Sequence, residues 1–240
     1  MDKGKNYTAD KKELRKSVIK AILLMFLFLI IMATIFFIAA GRLNISRAWI
    51  FFAAMLVYFL VSIIILYKFN PELLIHRLKR KADVKSWDKI LMRVNNLVGI
   101  HILVAVAGVD VGRFRWSNLG NQLAILGFGV WIIATTLITW TMSVNKHFEP
   151  TLRIQKDRDH QVITTGPYKI VRHPGYLGGI LLYIAIPLII GSVYGLIPGA
   201  TAVLLTIIRT ALEDKTLQNE LNGYSKYAQR IKYRLFPGVW

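Results

Sequence analysis

Six apolar runs, each close to the length that crosses a hydrocarbon core, constrain this chain more than any other feature. A bilayer core takes ~20 apolar residues as a helix, because lipid offers backbone N–H and C=O groups no partner and the helix satisfies them internally. The runs are residues 18–40, 48–67, 91–111, 119–142, 176–192 and 194–212. The first is too long for a signal-peptide core of about 7–15 residues and reads as a retained span. The whole chain is 55% hydrophobic, above the about 45–50% usual for soluble domains. The expected fold class is therefore all-α, a polytopic integral membrane protein with about six transmembrane helices.

A formal net charge of +18 raises nucleic-acid binding as a partner class. The charges sit instead in segments flanking the apolar runs, where topology and anionic lipid would use them, and no nucleic-acid recognition module interrupts the spans. Outside four basic segments (residues 1–20, 68–93, 143–175 and 209–240) the only basic residues are Arg42, Arg47, Arg113 and Arg115. By the excess of Lys and Arg on the cytoplasmic side, both termini and the polar segments 143–175 and 209–240 are expected in the cytosol. Runs five and six are separated only by residues 191–195, so they form a tight hairpin that brings those two polar segments together. Residues 70–90 carry apolar positions among charges and read as an interfacial helix. The tail 213–240 is amphipathic through Leu217, Leu221, Tyr224, Tyr227 and Ile231. The chain divides at 142/143 into an N-terminal membrane region and a C-terminal core that contains the hairpin 176–212.

Several polar groups could carry chemistry. Arg172-His173-Pro174 precedes run five. Proline disfavours α geometry at the residue before it and is tolerated at the first helical position, so His173 falls near the helix N-cap, beside free N–H groups that suit an anion. The knot is either a ligand site or a basic rim, in which Arg172 only anchors the helix at lipid headgroups. Gly175, Gly178 and Gly179 leave room for a ligand or for another helix. Arg209 and Glu213, four apart, share one helix face; they form either a salt bridge or a site whose guanidinium receives a carboxylate. Asn95, Asn96 and His101 either line a cavity or are satisfied by neighbouring helices. The Trp and Tyr residues at span ends fit an interfacial belt. There is no cysteine, which excludes disulfides, thiolate ligands and cysteine nucleophiles, and the five His show no metal-ligand spacing. Gly-rich phosphate loops and G-x-S-x-G elbows are absent.

Two stretches, "HQVITTGPYKIVRHPGYLGG" (160–179) and "RTALEDKTLQNELNGYSKYAQRIKYRLFP" (209–237), together resemble the isoprenylcysteine carboxyl methyltransferase family, within the wider group that includes membrane phospholipid methyltransferases. The resemblance covers about residues 150–240, and "NPELLIHRLKRKADVKSWDK" is similar to prokaryotic members. It implies S-adenosylmethionine as cofactor, bound on the cytosolic side. Carried over by motif, the cofactor-binding residues are His160, Gln161, Val162 and Ile163, then Tyr168, then His173, Pro174, Gly175 and Tyr176, with Glu213. Gln155 is the nearest match to a further glutamine, although the loop spacing differs. Arg209 falls on the substrate-orienting arginine, which makes Arg209 and Glu213 the catalytic pair. Asp214 and Asn222 depart from the pattern, which often has Glu and an aromatic there.

The expected reaction is O-methyl transfer to a lipophilic, isoprenylcysteine-like carboxylate that reaches the site from the bilayer. Methyl transfer from a sulfonium needs near-attack geometry more than proton transfer, and a dry pocket favours the neutralisation of sulfonium by carboxylate. The alternatives are N-methylation of a phospholipid or small lipid, with Glu213 or Asp214 as base, and an NADPH-dependent membrane reductase of the sterol type. No metal and no nucleic acid is expected to take part.

Overall fold

The computed structural model describes residues 3–79 and 83–240, with residues 3–10 described as backbone only. The described residues form helices and loops, without strands: α1 Lys3–Ala40, α2 Ser46–Phe69, α3 Pro71–Arg77, α4 Ser86–Phe114, α5 Asn121–Val144, α6 Pro174–Ile190, α7 Leu196–Glu220 and α8 Tyr224–Arg230. Five of these helices (α1 from Lys11, α2, α4, α5 and α7) are long and apolar enough to cross a membrane. The fifth apolar run becomes α6, a shorter apolar helix with Pro187 inside it. Large apolar side chains point outward along the spans, among them Ile30, Ile64, Ile125 and Leu204, each more than 60% exposed. In water such faces would be costly; against lipid tails they are the expected surface.

Small residues set the helix spacing. α5 and α6 form the most extensive helix pair. A Cβ on Gly178 would stand 2.5 Å from Ile138 and 3.0 Å from the Ala134 carbonyl oxygen, and one on Gly127 would stand 2.9 Å from the Ile189 nitrogen. On α4, Gly99 faces Tyr183 and Ala202, and Gly112 lies against the backbone of Ala40. Both of these glycines fall in π-type stretches, Leu97–Ile102 and Val109–Phe114, where the helix widens. The hairpin between α6 and α7 turns at Gly191, whose φ of 95° is left-handed backbone that glycine adopts without strain.

Residues 70–90 are not one interfacial helix. Asn70 caps α3 by accepting a hydrogen bond from the Leu73 N–H, Pro71 opens that helix, and the span helix α4 already begins at Ser86. Residues 80–82 of that expected helix lie outside the described residues. The amphipathic tail also divides differently. α7 runs on to Glu220, and Gly223, at φ 81°, separates it from the short α8. The apolar positions noted in the tail do converge: Leu217, Leu221, Tyr224 and Tyr227 are buried with Leu152 and Tyr168 in one cluster.

Candidate active site

The C-terminal end of α5, the N-terminal end of α6 and the C-terminal end of α7 meet at one end of the bundle. The loop 145–173 and the tail 221–240 close over them. The backbone N–H groups of Arg172 and His173 donate to the carbonyls of Tyr233 and Arg234, at 3.0 and 2.9 Å, so the tail is laced to the start of α6. Beneath this cover lies a cavity of about 120 Å³. Gln155, His160, Gln161, Val162, Ile163, Tyr168, His173, Gly175, Tyr176 and Glu213 all line it. Pro174 and Arg209 are buried and do not form its wall.

Asp214 is the electrostatic centre of this end. Fully buried, it accepts hydrogen bonds from Arg172 Nε and Nη2 at 2.8 and 3.0 Å and from Arg234 Nε at 3.0 Å. Tyr224 Oη and Gln218 Nε2 donate to it as well, at 3.0 and 2.8 Å. His173 Nε2 stands 3.2 Å from the same carboxylate. Arg172 is therefore not a headgroup anchor. Its remaining donors reach the carbonyls of Ala228, Ile231 and Lys232, which ties the tail down further. A buried charge is tolerated only when its partners and hydrogen bonds are complete, and this one is fully surrounded.

Glu213, the next residue, faces the cavity. Tyr176 Oη donates to its Oε2 at 2.6 Å, and His173 Nδ1 lies 3.7 Å from Oε1. The rings of His173 and Tyr176 are stacked, 5.7 Å apart. Arg209 does not pair with Glu213. Its Nε and Nη2 grip Asp88 Oδ1 and Oδ2 at 2.7 and 3.1 Å, and Nη2 also donates to the Pro150 carbonyl at 2.7 Å. The Arg209 guanidinium lies 5.1 Å from the centre of the Tyr176 ring. Asp88 is fully buried and accepts the Leu152 N–H as well, at 2.7 Å, so a residue of the N-terminal membrane region fixes both the arginine and the loop.

The loop adds groups that the motifs do not mark: His147, Glu149 and Arg153. Arg153 is clamped between Glu149 and Asp157, at 2.9 and 2.7 Å. The His147 and His160 rings lie 4.5 Å apart. His147 Nδ1 is 3.1 Å from Gln155 Oε1, while its Nε2 accepts from the Gln161 N–H at 3.5 Å. His160 Nδ1 accepts from the Gln155 N–H at 3.3 Å. These bonds describe two neutral rings. Burial lowers the pKa of both, that of His160 to about 4, where the neighbouring His147 adds to the effect. Burial also raises the hydroxyl pKa values of Tyr168, Tyr224 and Tyr227, so these remain neutral donors. Gln155 is 2% exposed and its amide is fully engaged: Nε2 donates to the His147 carbonyl, and Oε1 accepts from Arg158. Gly175 leaves space that the Phe148 ring fills, 2.6 Å from where a Cβ would sit.

The donor set suits a flat, amphipathic cation. Two carboxylates, Glu149 and Glu213, tyrosine rings and the apolar Val162, Ile163, Leu217 and Leu221 surround one cavity. Among the first-turn donors of α6, the N–H of Gly175 has no acceptor outside the helix. Among the described residues no cluster of His, Cys, Asp or Glu could hold a metal.

No curated protein sequence matches the chain. Residues 123–222, from the start of α5 to the end of α7, match the family model described as phospholipid methyltransferase.

Proposed function

We propose that the protein is an integral membrane methyltransferase that takes its methyl group from S-adenosylmethionine and transfers it to a lipophilic acceptor. The observation that carries this reading is the single cavity shared by the 160–163 stretch, the start of α6 and Glu213. The cofactor, when bound, supplies an electrophilic methyl on a sulfonium. Glu213 provides a counter-charge for the cofactor's ammonium. Gly175 N–H, at a helix N-terminus, suits its carboxylate. The arginines of the lining, Arg153 and Arg172, are paired with Glu149, Asp157 and Asp214, and His147 and His160 are neutral, so little uncompensated positive charge opposes a sulfonium. The tail, held by Asp214, excludes water from the reacting atoms.

The acceptor that we favour is an isoprenylcysteine-like carboxylate. Asp88 holds the Nε–Nη2 edge of Arg209, and Nη1 makes no hydrogen bond among the described residues. That free corner would receive the carboxylate, with Asp88 fixing the plane of the guanidinium. The second reading, N-methylation of a lipid amine, is favoured by the same pair, because Asp88 already neutralises Arg209. In that case Glu213 is the base within reach of the site. An NADPH-dependent reductase is not favoured by the family match. The positive-inside pattern supports a cytosolic position for this end of the bundle, where the soluble cofactor would arrive from water and the acceptor from the bilayer.

The test is incubation of the purified protein with methyl-labelled S-adenosylmethionine and either a farnesylcysteine-type acid or phosphatidylethanolamine. Base-labile label in the acid supports the carboxylate reading. Label retained on the amine supports the second. No label in either acceptor contradicts both readings.

A further inference from the structure

At the opposite end of the bundle, where α1, α4 and α6 finish and α2 and α5 begin, lies a second cavity of about 350 Å³. Three arginines line it, Arg42, Arg47 and Arg115, with Ser117, Asn118 and Gly191. Among the described residues no carboxylate lies within ion-pair distance of any of the three. The nearby acid, Asp110, is fully buried, and its oxygens are taken by Ser117, Ser192 and the Tyr194 N–H.

Arg42 and Arg47 are held in place with donors to spare, and Arg115 stands beside them. Arg42 gives Nη2 to the Val111 carbonyl at 3.0 Å, and its buried Nε has no partner. Arg47 donates to the Leu119 carbonyl and to Asn121 Oδ1, at 2.7 and 2.6 Å, and its Nη1 lies 2.7 Å from where a Cβ on Gly191 would sit. Arg115 is exposed, makes no side-chain hydrogen bond among the described residues, and is kept at φ 55° in the left-handed region. A non-glycine residue in that conformation is strained, and such strain clusters at ligand sites. Phe114 stacks on Trp116, which also meets the Tyr194 ring at a tilt, an aromatic group of the kind found at the depth of lipid headgroups.

Arginine forks with unsatisfied N–H donors and no acidic partner match a phosphate, whose oxygens accept several bonds at once. We propose that this cavity binds a phosphate group, carried either by the headgroup of an anionic phospholipid or by a soluble phosphate compound. The site is separate from the methyl-transfer cavity and does not depend on that assignment.

The test uses the full-length protein in neutral detergent. Native mass spectrometry measures the retention of phosphatidylglycerol against phosphatidylcholine, and thermal unfolding is followed with added phosphatidylglycerol or inorganic phosphate. The wild-type protein should retain phosphatidylglycerol about tenfold more strongly than phosphatidylcholine, and R42Q/R115Q should lose most of that preference. Stabilisation by phosphatidylglycerol alone identifies lipid as the source of the phosphate. Stabilisation by inorganic phosphate that R115Q abolishes identifies a soluble one. Basic residues elsewhere also attract anionic lipid, so the difference between wild type and variant is the readout. Unchanged retention in R42Q/R115Q with a native circular-dichroism spectrum overturns the proposal. Should the double variant fail to fold, R115Q, which removes no hydrogen bond of the fold, decides alone: unchanged retention and unchanged stabilisation overturn the proposal.

Discussion

Asp88, in the first turn of α4, holds Arg209 of α7 through both carboxylate oxygens, 121 residues away along the chain. The pair joins the N-terminal helices to the segment that matches the family model. It also fixes the arginine over the Tyr176 ring and the loop at Leu152.

Removing one member of this pair strands a buried charge. Asp88→Asn is expected to destabilise the protein by about 3–5 kcal/mol, whereas replacing both residues with Leu costs much less. Thermal unfolding in detergent distinguishes the two. Equal losses for the single and double variants would show that the pair contributes packing rather than charge compensation.

Asp214 gathers Arg172, Arg234, His173, Tyr224 and Gln218 around one carboxylate. Asp214→Asn is expected to cost at least about 3 kcal/mol and to loosen the tail before the spans melt. Limited proteolysis should cut the variant within residues 221–240 under conditions that leave the wild type intact.

The sequence made the spans legible because length and hydropathy suffice for them. Gly178 is readable as a close-packing position only in part and Gly127 not at all, since their partners on the neighbouring helix have no sequence signature. Motif resemblance singles out residues that the fold gathers around one cavity, His160–Ile163, His173, Gly175, Tyr176 and Glu213. Arg172 was ambiguous because nothing local names Asp214, 42 residues later, as its partner. Asp88, His147 and Glu149 were missed for the same reason: each is an ordinary polar residue until the fold carries it to the site.

The histidine pair gives a pH dependence whose sign follows from burial. The folded-state pKa of His160, about 4, lies below its ordinary 6.5, so between these values the unfolded chain binds a proton that the folded one refuses. Stability from this group is complete above about pH 6.5 and is lost as pH falls towards 4. His147 shifts in the same direction. Unfolding temperature should fall across this window, and His160→Gln should flatten the slope; an unchanged slope in the variant would assign the acid sensitivity elsewhere.

Gly175 makes room for the Phe148 ring. Gly175→Ala is expected to cost about 1–3 kcal/mol by overpacking and to weaken cofactor binding, because both residues line the cavity. Gly175→Ala combined with Phe148→Leu should recover stability, which thermal unfolding reads directly.

The central claim is that the Glu213 cavity holds S-adenosylmethionine for methyl transfer to a lipid. Isothermal titration calorimetry of the purified protein with S-adenosylmethionine tests it most directly, with Glu213→Gln and Tyr176→Phe alongside. The predicted result is saturable binding, weakened about tenfold or more by Glu213→Gln through loss of a charge-assisted contact and less by Tyr176→Phe. Absence of binding to the wild-type protein, or identical affinity in Glu213→Gln, would contradict it.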